Sequence, residues 1–530
     1  MAQGYLALLL HAHLPYIRHP EHERFLEENW LFEAITETYI PLLQVFGRLS
    51  VQAVDFRLTL SLSPTLITML QDALLQQRYL AHMQRLIDLA RQETARKHAD
   101  QRTQAMAEHY LRLFEETCRA YREDFQLDLI SAFRHLQQSG QLEIITTAAT
   151  HGFLPLLRTE PGSIRAQLAV AAETYEGTFG SSAPGIWLPE CGYYPGLEET
   201  LAELNFRYFI VDTHGLMNAS EKPWHDVAAP LACPNGVAAF GRDPASSRQV
   251  WSADEGYPGD SWYREFHKDL GFDRPLEELQ SFLPSDGSRT HTGIKYFRVT
   301  NQGHYKQPYE PRRALQRIEV HADDFLHKRR QSIQQFSNRM DRPPILVAPY
   351  DAELFGHWWY EGPLWLETLI TKIQQQDDLE LISPFDYLQR HPTLQSAQPS
   401  ASSWGELGYN AYWLNEHNDW IYPHLHRAAR SMQLLALTHR EVKSGTLMHR
   451  ALQQAARSLL LAQASDWPFI LKSGISARYA EQRVRDLLSR FNYLENAISE
   501  NQIEAKHLQA LEQMDAIFPH LDFRSFINQE

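Results

Sequence analysis

The amino-acid sequence predicts an α/β fold, read as an irregular or incomplete β/α barrel. Three observations lead there. Short apolar runs recur through the first 385 residues, helix-forming segments separate them, and polar or ionisable side chains follow the runs. The runs are 5–10 (YLALLL), 56–63 (FRLTLSLS), 144–150 (IITTAAT), 185–189 (GIWLP), 206–211 (FRYFIV), 345–349 (ILVAP) and 379–382 (LELI). Runs this short and this apolar suit strands buried on both faces of a parallel sheet. Segments 166–179 and 197–204 carry helical patterns between them, which gives β/α alternation. The runs lead into His11-Ala-His13, Pro64, His151, Glu190, Asp212 and His214, Asp351, and Ser383. Residues just beyond the C-terminal ends of strands are where β/α barrels build active sites. An open doubly wound sheet is the alternative.

Two regions break the alternation. Residues 69–137 are rich in Leu, Gln, Arg and Glu with no strand pattern, and read as a helical insertion after the second strand. Residues 391–403 (HPTLQSAQPSASS) read as a linker or crossover. Beyond it, 420–511 is helical, with Leu434, Leu435, Leu437, Leu447, Leu452, Leu459 and Leu460 marking an apolar stripe. The expected domains are therefore 1–68 with 138–395, an insertion at 69–137, and a C-terminal helical domain at 396–530.

The formal net charge of −15 argues against nucleic acid or an anionic membrane as partner, since both need clustered cations. The three cysteines, Cys118, Cys191 and Cys233, cannot form a full disulfide framework, which suits a reducing compartment. The apolar run at the N-terminus is too short for a signal peptide and lacks a positive segment before it. A cytoplasmic protein is expected.

Two carboxylates stand out. Glu190 lies in WLPECGYY (187–194) and Asp351 in APYDAELFGHWW (348–359), each at the end of a run and among aromatics. Carboxylates on different strands opening on one face are what glycosidase chemistry requires: one attacks as an anion, the other gives and takes a proton. Glu353 competes with Asp351, because alternate residues of a strand share a face. His11 and His13 also share a face, as a metal pair or as donors to hydroxyl groups. Three further segments read as walls of a site: 251–266 with Trp262, Tyr263 and Arg264, 402–413 with Trp404 and Trp413, and 464–469 with Asp466 and Trp467.

Together these segments resemble glycoside hydrolase family 57, and within it the 1,4-α-glucan branching enzymes. HAHLPY (11–16), ATHGFLPLL (149–157), GIWLPECGY (185–193) and APYDAELFGHWWYEGP (348–363) are similar to that family's first four regions, in order. The resemblance implies an incomplete (β/α)7 barrel, a retaining mechanism with Glu190 as nucleophile and Asp351 as acid/base, and no cofactor or catalytic metal. It implies α-1,4-glucan as the partner, with His11, His13 and His151 binding substrate and Trp262, Trp404 and Trp413 stacking on sugars. Arg264 and Asp466 join the same substrate-binding set. The family's branching enzymes carry a tyrosine on a loop over the site. Here no tyrosine lies between Tyr208 and Tyr257, and Phe240 is the candidate to take its place. An α-amylase-type hydrolase or a 4-α-glucanotransferase is therefore the alternative. A metal-dependent sugar deacetylase and a non-catalytic glucan-binding protein are more distant readings.

Overall fold

The computed structural model describes residues 3–98, 100–252, 255–284, 287–300 and 306–527. Ten strands lie among them: β1 (Gly4–Ala12), β2 (Leu58–Leu62), β3 (Leu142–Ile145), β4 (Gly185–Ile186), β5 (Tyr208–Val211), β6 (Leu231–Ala232), β7 (Ala238–Gly241), β8 (Ile345–Asp351), β9 (Leu379–Leu381) and β10 (Gln395–Ser396). Each of the seven apolar runs overlaps one, although β3 shares only Ile144 and Ile145 with the run 144–150. β1 is buried along its whole length, as its uninterrupted apolar sequence requires. It pairs in parallel with β2, β8 and, at its start, β9.

One sheet has the order β3-β2-β1-β8, with β9 also on β1; the other has the order β10-β6-β7-β5-β4. All pairs are parallel except β6 with β7. Parallel bridges from Thr146 to Ile186 and from Arg242 to Val347 connect the two sheets at both junctions. The C-terminal ends of β1, β2, β3, β4 and β8 consequently converge.

Sequence patterning missed β6, β7 and β10. β6 and β10 are two residues long and, unlike the equally short β4, lie in none of the apolar runs. The β6–β7 hairpin turns at Asn235-Gly236, where Gly236 has φ 92° and its N–H bonds to the Cys233 carbonyl at 2.8 Å. Phe240 sits inside β7, 1% exposed, edge-on to Tyr208 and Tyr387. It is a core residue and does not cover the site. The segment 391–403 is a crossover: β10 pairs with β6, and Ser402 bridges Tyr193.

The helical insertion follows its capping chemistry. The Ser63 and Asp72 side chains accept from the N–H groups of Leu66 and Leu75 to start the helices Pro64–Gln71 and Ala73–Ala95. Ala73–Ala95 packs on Gln101–Arg119, and the two bury Tyr79, Met83 and Leu86 and Met106, Tyr110 and Phe114 respectively. Before β2, a π-helical turn at Ile35–Tyr39 interrupts the helix between Glu28 and Val51. Such turns often mark functional sites, and this one reaches the strand-end cluster.

The C-terminal helices are Ile421–Thr438, Leu447–Ala462, Asp466–Ser473, Ala477–Ser499 and Ala505–Met514. Leu447–Ala462 lies at their centre, with Leu452, Leu459 and Leu460 fully buried. Leu434, Leu437 and Leu447 are instead 65%, 43% and 36% exposed, so the apolar stripe is narrower than the leucine spacing suggests. The inward face of Ile421–Thr438 is Leu425, Ala428, Met432 and Leu435. Among the described residues no helix is long and apolar enough to cross a membrane.

Candidate active site

Strand register assembles the first row of the site. Ser61 on β2, His11 on β1 and Asp351 on β8 are direct neighbours across the sheet. His13 follows two residues beyond His11. The chain leaving β3 delivers His151, and the chain leaving β4 delivers Glu190. Both depart from ordinary backbone: His151 has φ 58°, Glu190 φ 61° and Cys191 φ 51°. Non-glycine residues in the left-handed region cost of order 1 kcal/mol each and persist where surrounding contacts hold them. Here the Trp404 N–H donates to the Glu190 carbonyl at 3.0 Å, and the Ser465 N–H to the His151 carbonyl at 2.9 Å.

The Glu190 side chain is held at both oxygens. Trp404 Nε1 donates to Oε2 at 2.8 Å and Ser465 Oγ donates to Oε1 at 3.0 Å. His11 Nε2 and His151 Nε2 are 3.0 Å apart, His11 Nδ1 is 3.1 Å from Ser61 Oγ, and His151 Nδ1 is 2.8 Å from Ser465 Oγ. His13 Nε2 bonds Asp466 Oδ2 at 3.1 Å. The imidazoles of His13 and His151 stack at 4.0 Å, and Trp187 stacks on His11 at 4.9 Å. Among the described residues no side chain donates to Asp351. Glu353, by contrast, is tied to the fold: Tyr39 of the π-helical turn donates to its Oε1 at 2.5 Å and the His13 N–H at 3.2 Å.

Electrostatics separates the two candidate carboxyls. Burial pushes Glu190 up to about 7, against the hydrogen bonds from Trp404 and Ser465 that favour its anion. Burial, then the charges of Glu353 and Glu190, push Asp351 well above the usual carboxylate range, with only Arg242 opposing. The arrangement therefore keeps a proton on Asp351 while Glu190 ionises, one acid beside one anion. Burial also lowers His11 and His151 well below the usual histidine range, so both are neutral.

These shifts set a pH dependence of stability. A carboxyl whose folded-state pKa exceeds its unfolded value stabilises the fold below the unfolded value, and that stability is lost as pH rises through the folded value. For Glu190 and Glu353 the window runs from 4.5 to about 7. The protein should lose thermal stability as pH rises across it. Asp351→Asn, which removes a third carboxyl that burial pushes up, should melt a few degrees above the unsubstituted protein at pH 8 and level with it at pH 4. Thermal unfolding of both across this range checks it; an Asp351→Asn protein that melts no higher at pH 8 contradicts it.

The structure brings together His11, His13, His151, Glu190, Asp351, Trp404 and Asp466. Among the described residues, the other three candidates make no hydrogen bond or ring contact with these seven. Trp262 is half-buried, with Arg298 and Arg313 over its ring at 4.5 and 5.5 Å. Arg264 is buried over the Tyr360 ring at 4.1 Å, in the wall of a separate cavity of ≈ 310 Å³ with Glu37, Tyr110 and Glu361. Trp413 is 1% exposed and stacked on Phe153 at 4.5 Å; it props the loop that presents Trp404. Ala253 and Asp254 of the segment 251–266 lie outside the described residues.

Sequence reasoning missed Ser61, Ser465, Trp187, Arg242 and Tyr39. Ser465 stood next to the singled-out Asp466. Arg242 stacks over Trp404 at 5.7 Å and bonds Asp212 at 3.0 Å.

His13, His151 and Asp466 each place one metal-ligand atom within 4.8 Å of the others. Two features oppose an ion there. The imidazole planes are only 16° from parallel at 4.0 Å, so their in-plane lone pairs cannot meet at one ion. Both His151 nitrogens already have protein partners.

The profile of glycosyl hydrolase family 57 matches residues 7–397, and that of the C-terminal region of 1,4-alpha-glucan branching enzymes matches 424–526. A 1,4-alpha-glucan branching enzyme of Thermococcus kodakarensis is 33% identical over 97% of this chain and 77% of its own length. Among solved structures, the alpha-amylase AmyC from Thermotoga maritima superposes with a TM-score of 0.93 at 42% identity, covering 99% of each chain. A GH57-type branching enzyme from Pyrococcus horikoshii superposes with a TM-score of 0.89 at 32% identity, covering 100% of this chain and 97% of its own. The same α/β architecture, the same parallel sheet and the same helical C-terminal domain accompany these matches: the chain belongs to glycosyl hydrolase family 57.

Proposed function

We propose that the protein is a retaining 1,4-α-glucan branching enzyme, with Glu190 as nucleophile and Asp351 as general acid/base. The observation that carries the chemistry is the unequal pair: Glu190 is held by two donors that favour its anion, while among the described residues no side chain donates to Asp351, which feels the charges of Glu353 and Glu190. Asp351 protonates the glycosidic oxygen and Glu190 attacks the anomeric carbon. Asp351, now a base, then takes the proton from the acceptor hydroxyl that resolves the glycosyl enzyme. Such a pair is expected about 5–5.5 Å apart. An α-1,4-glucan lies across the strand ends, against Trp404, His13 and Asp466. The two sheets joined by bridges support an incomplete (β/α)7 barrel, formed by 1–68 and 138–395 around the insertion 69–137, with 396–530 as the C-terminal domain.

Branching is favoured over hydrolysis by the C-terminal match, residues 424–526, and by the names of the curated relatives. Two observations favour hydrolysis, the first being that the 42% identical T. maritima structure is that of an alpha-amylase. The stretch 209–256 has no tyrosine to lie over the site, and Phe240 is locked in the core. Transfer to a sugar hydroxyl needs water held off the intermediate. The test is a product count on amylose, with Glu190→Gln as blank. Many α-1,6 links with few new reducing ends are expected. Reducing ends without branches would make the protein a hydrolase, like the T. maritima amylase.

A further inference from the structure

The resemblance gives His11 and His151 to the substrate, but all four of their ring nitrogens face protein partners. Hydrogen-bond direction along this file is fixed from one end. An ionised Glu190 can only accept, so the Ser465 hydroxyl gives its one proton to Oε1. Ser465 Oγ must then accept from His151 Nδ1–H. Neutral His151 thereby has a bare Nε2, which accepts from His11 Nε2–H. Neutral His11 in turn has a bare Nδ1, which accepts from the Ser61 hydroxyl. Ser61 Oγ also lies 3.5 Å from the Thr146 carbonyl, so its proton is shared between two acceptors, while each other proton in the file has one place. Ser465 is 1% exposed, His11 2% and His151 3%, so none presents a polar atom to a bound chain. The neighbouring His13 differs: it is half-buried, and its Nε2 bonds Asp466 at the rim.

We propose that Ser465 is a positioning residue for the Glu190 carboxylate, its hydroxyl locked in the donating orientation by the file Ser61–His11–His151. The inference rests on Glu190 being the nucleophile. Trp404 fixes the other oxygen, so the file and the indole together set the plane of the attacking carboxylate. A second consequence is electrostatic. Glu190 faces Asp466, His13, His151, Asp351 and the Cys191 thiol, and in this dry setting a lost donor leaves its anion less favoured.

The experiment is the pH profile of kcat and KM on amylose for Ser465→Ala, Ser465→Thr and His151→Phe, with Glu190→Gln alongside. Ser465→Ala should lower kcat about 10–100-fold with KM within about 2-fold. It should move the acid limb of kcat/KM upward by about one pH unit, because protonation of Glu190 silences the site. His151→Phe should move the limb the same way, and Ser465→Thr should restore it. Thermal unfolding separates a misfolded variant from a mispositioned carboxylate. An unmoved limb in Ser465→Ala, or a rise in KM with the limb in place, overturns the inference while Glu190→Gln remains inert. Activity surviving in Glu190→Gln overturns the nucleophile reading itself.

Discussion

Glu190→Gln should abolish turnover of α-1,4-glucan, by ~10⁴-fold or more, while Asp351→Asn should fail only where a proton is needed. The difference follows from what each group supplies. Without the Glu190 anion no glycosyl enzyme forms, whatever the leaving group. Without the Asp351 proton, cleavage slows in proportion to how poor the leaving group is. On amylose Asp351→Asn should lose about 10³-fold, whereas on an α-maltosyl fluoride its first step should fall within ~10-fold of the unsubstituted enzyme. Adding azide, an acceptor that needs no base, should release an α-glycosyl azide from Asp351→Asn and nothing from Glu190→Gln. Glu353→Gln is the internal control: Glu353 is engaged by Tyr39 and the His13 N–H, and its loss should not be relieved by a good leaving group. Equal losses of Asp351→Asn on both substrates would remove it from the acid/base role.

Gly356→Ala should be the most disruptive small substitution in the fourth motif, costing about 3–5 kcal/mol. Two penalties combine. Gly356 has φ 108°, and a Cβ there would overlap the backbone carbonyl of Glu37 in the π-helical turn. Backbone faces backbone, so no side chain can swing away. Relief requires moving the turn that carries Tyr39 to Glu353 and Glu37 to His357, each at 2.5 Å. Loss of activity should therefore accompany a drop in unfolding midpoint, or insolubility. Gly47→Ala in the helix Ile40–Val51 is the contrast: a Cβ there meets nothing within 4 Å, and the change should be neutral or stabilising by up to ~1 kcal/mol. A Gly356→Ala protein as stable as the native one would show that the turn yields freely.

The strands that carry Glu190, His11 and Asp351 were legible because burial on both faces writes an unbroken apolar run. The three that escaped are two-residue strands or belong to a hairpin, and their register comes from partners distant in the chain. The carboxyls were legible for a related reason: a charged residue directly after such a run stands where the sheet stops. What could not be read was which aromatic faces remain free. Trp262, Trp404 and Trp413 look alike in sequence, yet arginines lie over the first, Phe153 covers the third, and only Trp404 reaches Glu190. Ser465 was invisible because a lone serine has no periodicity or charge. Its place is set by the bridge between Gly152 and Ala464, a pairing of distant segments. Glu353 and Asp351 were inseparable by spacing and were parted by Tyr39.

The two donors that hold Glu190 stand 214 and 275 residues after it in the chain. At 5–20 residues per second, synthesis leaves roughly 15–55 s between the emergence of the carboxylate and that of its last donor. During that interval the chain carries the carboxylate without the two groups that hold it. The orientation of this side chain is thus a property of the folded whole, and a translation product interrupted before residue 404 would lack both of its donors.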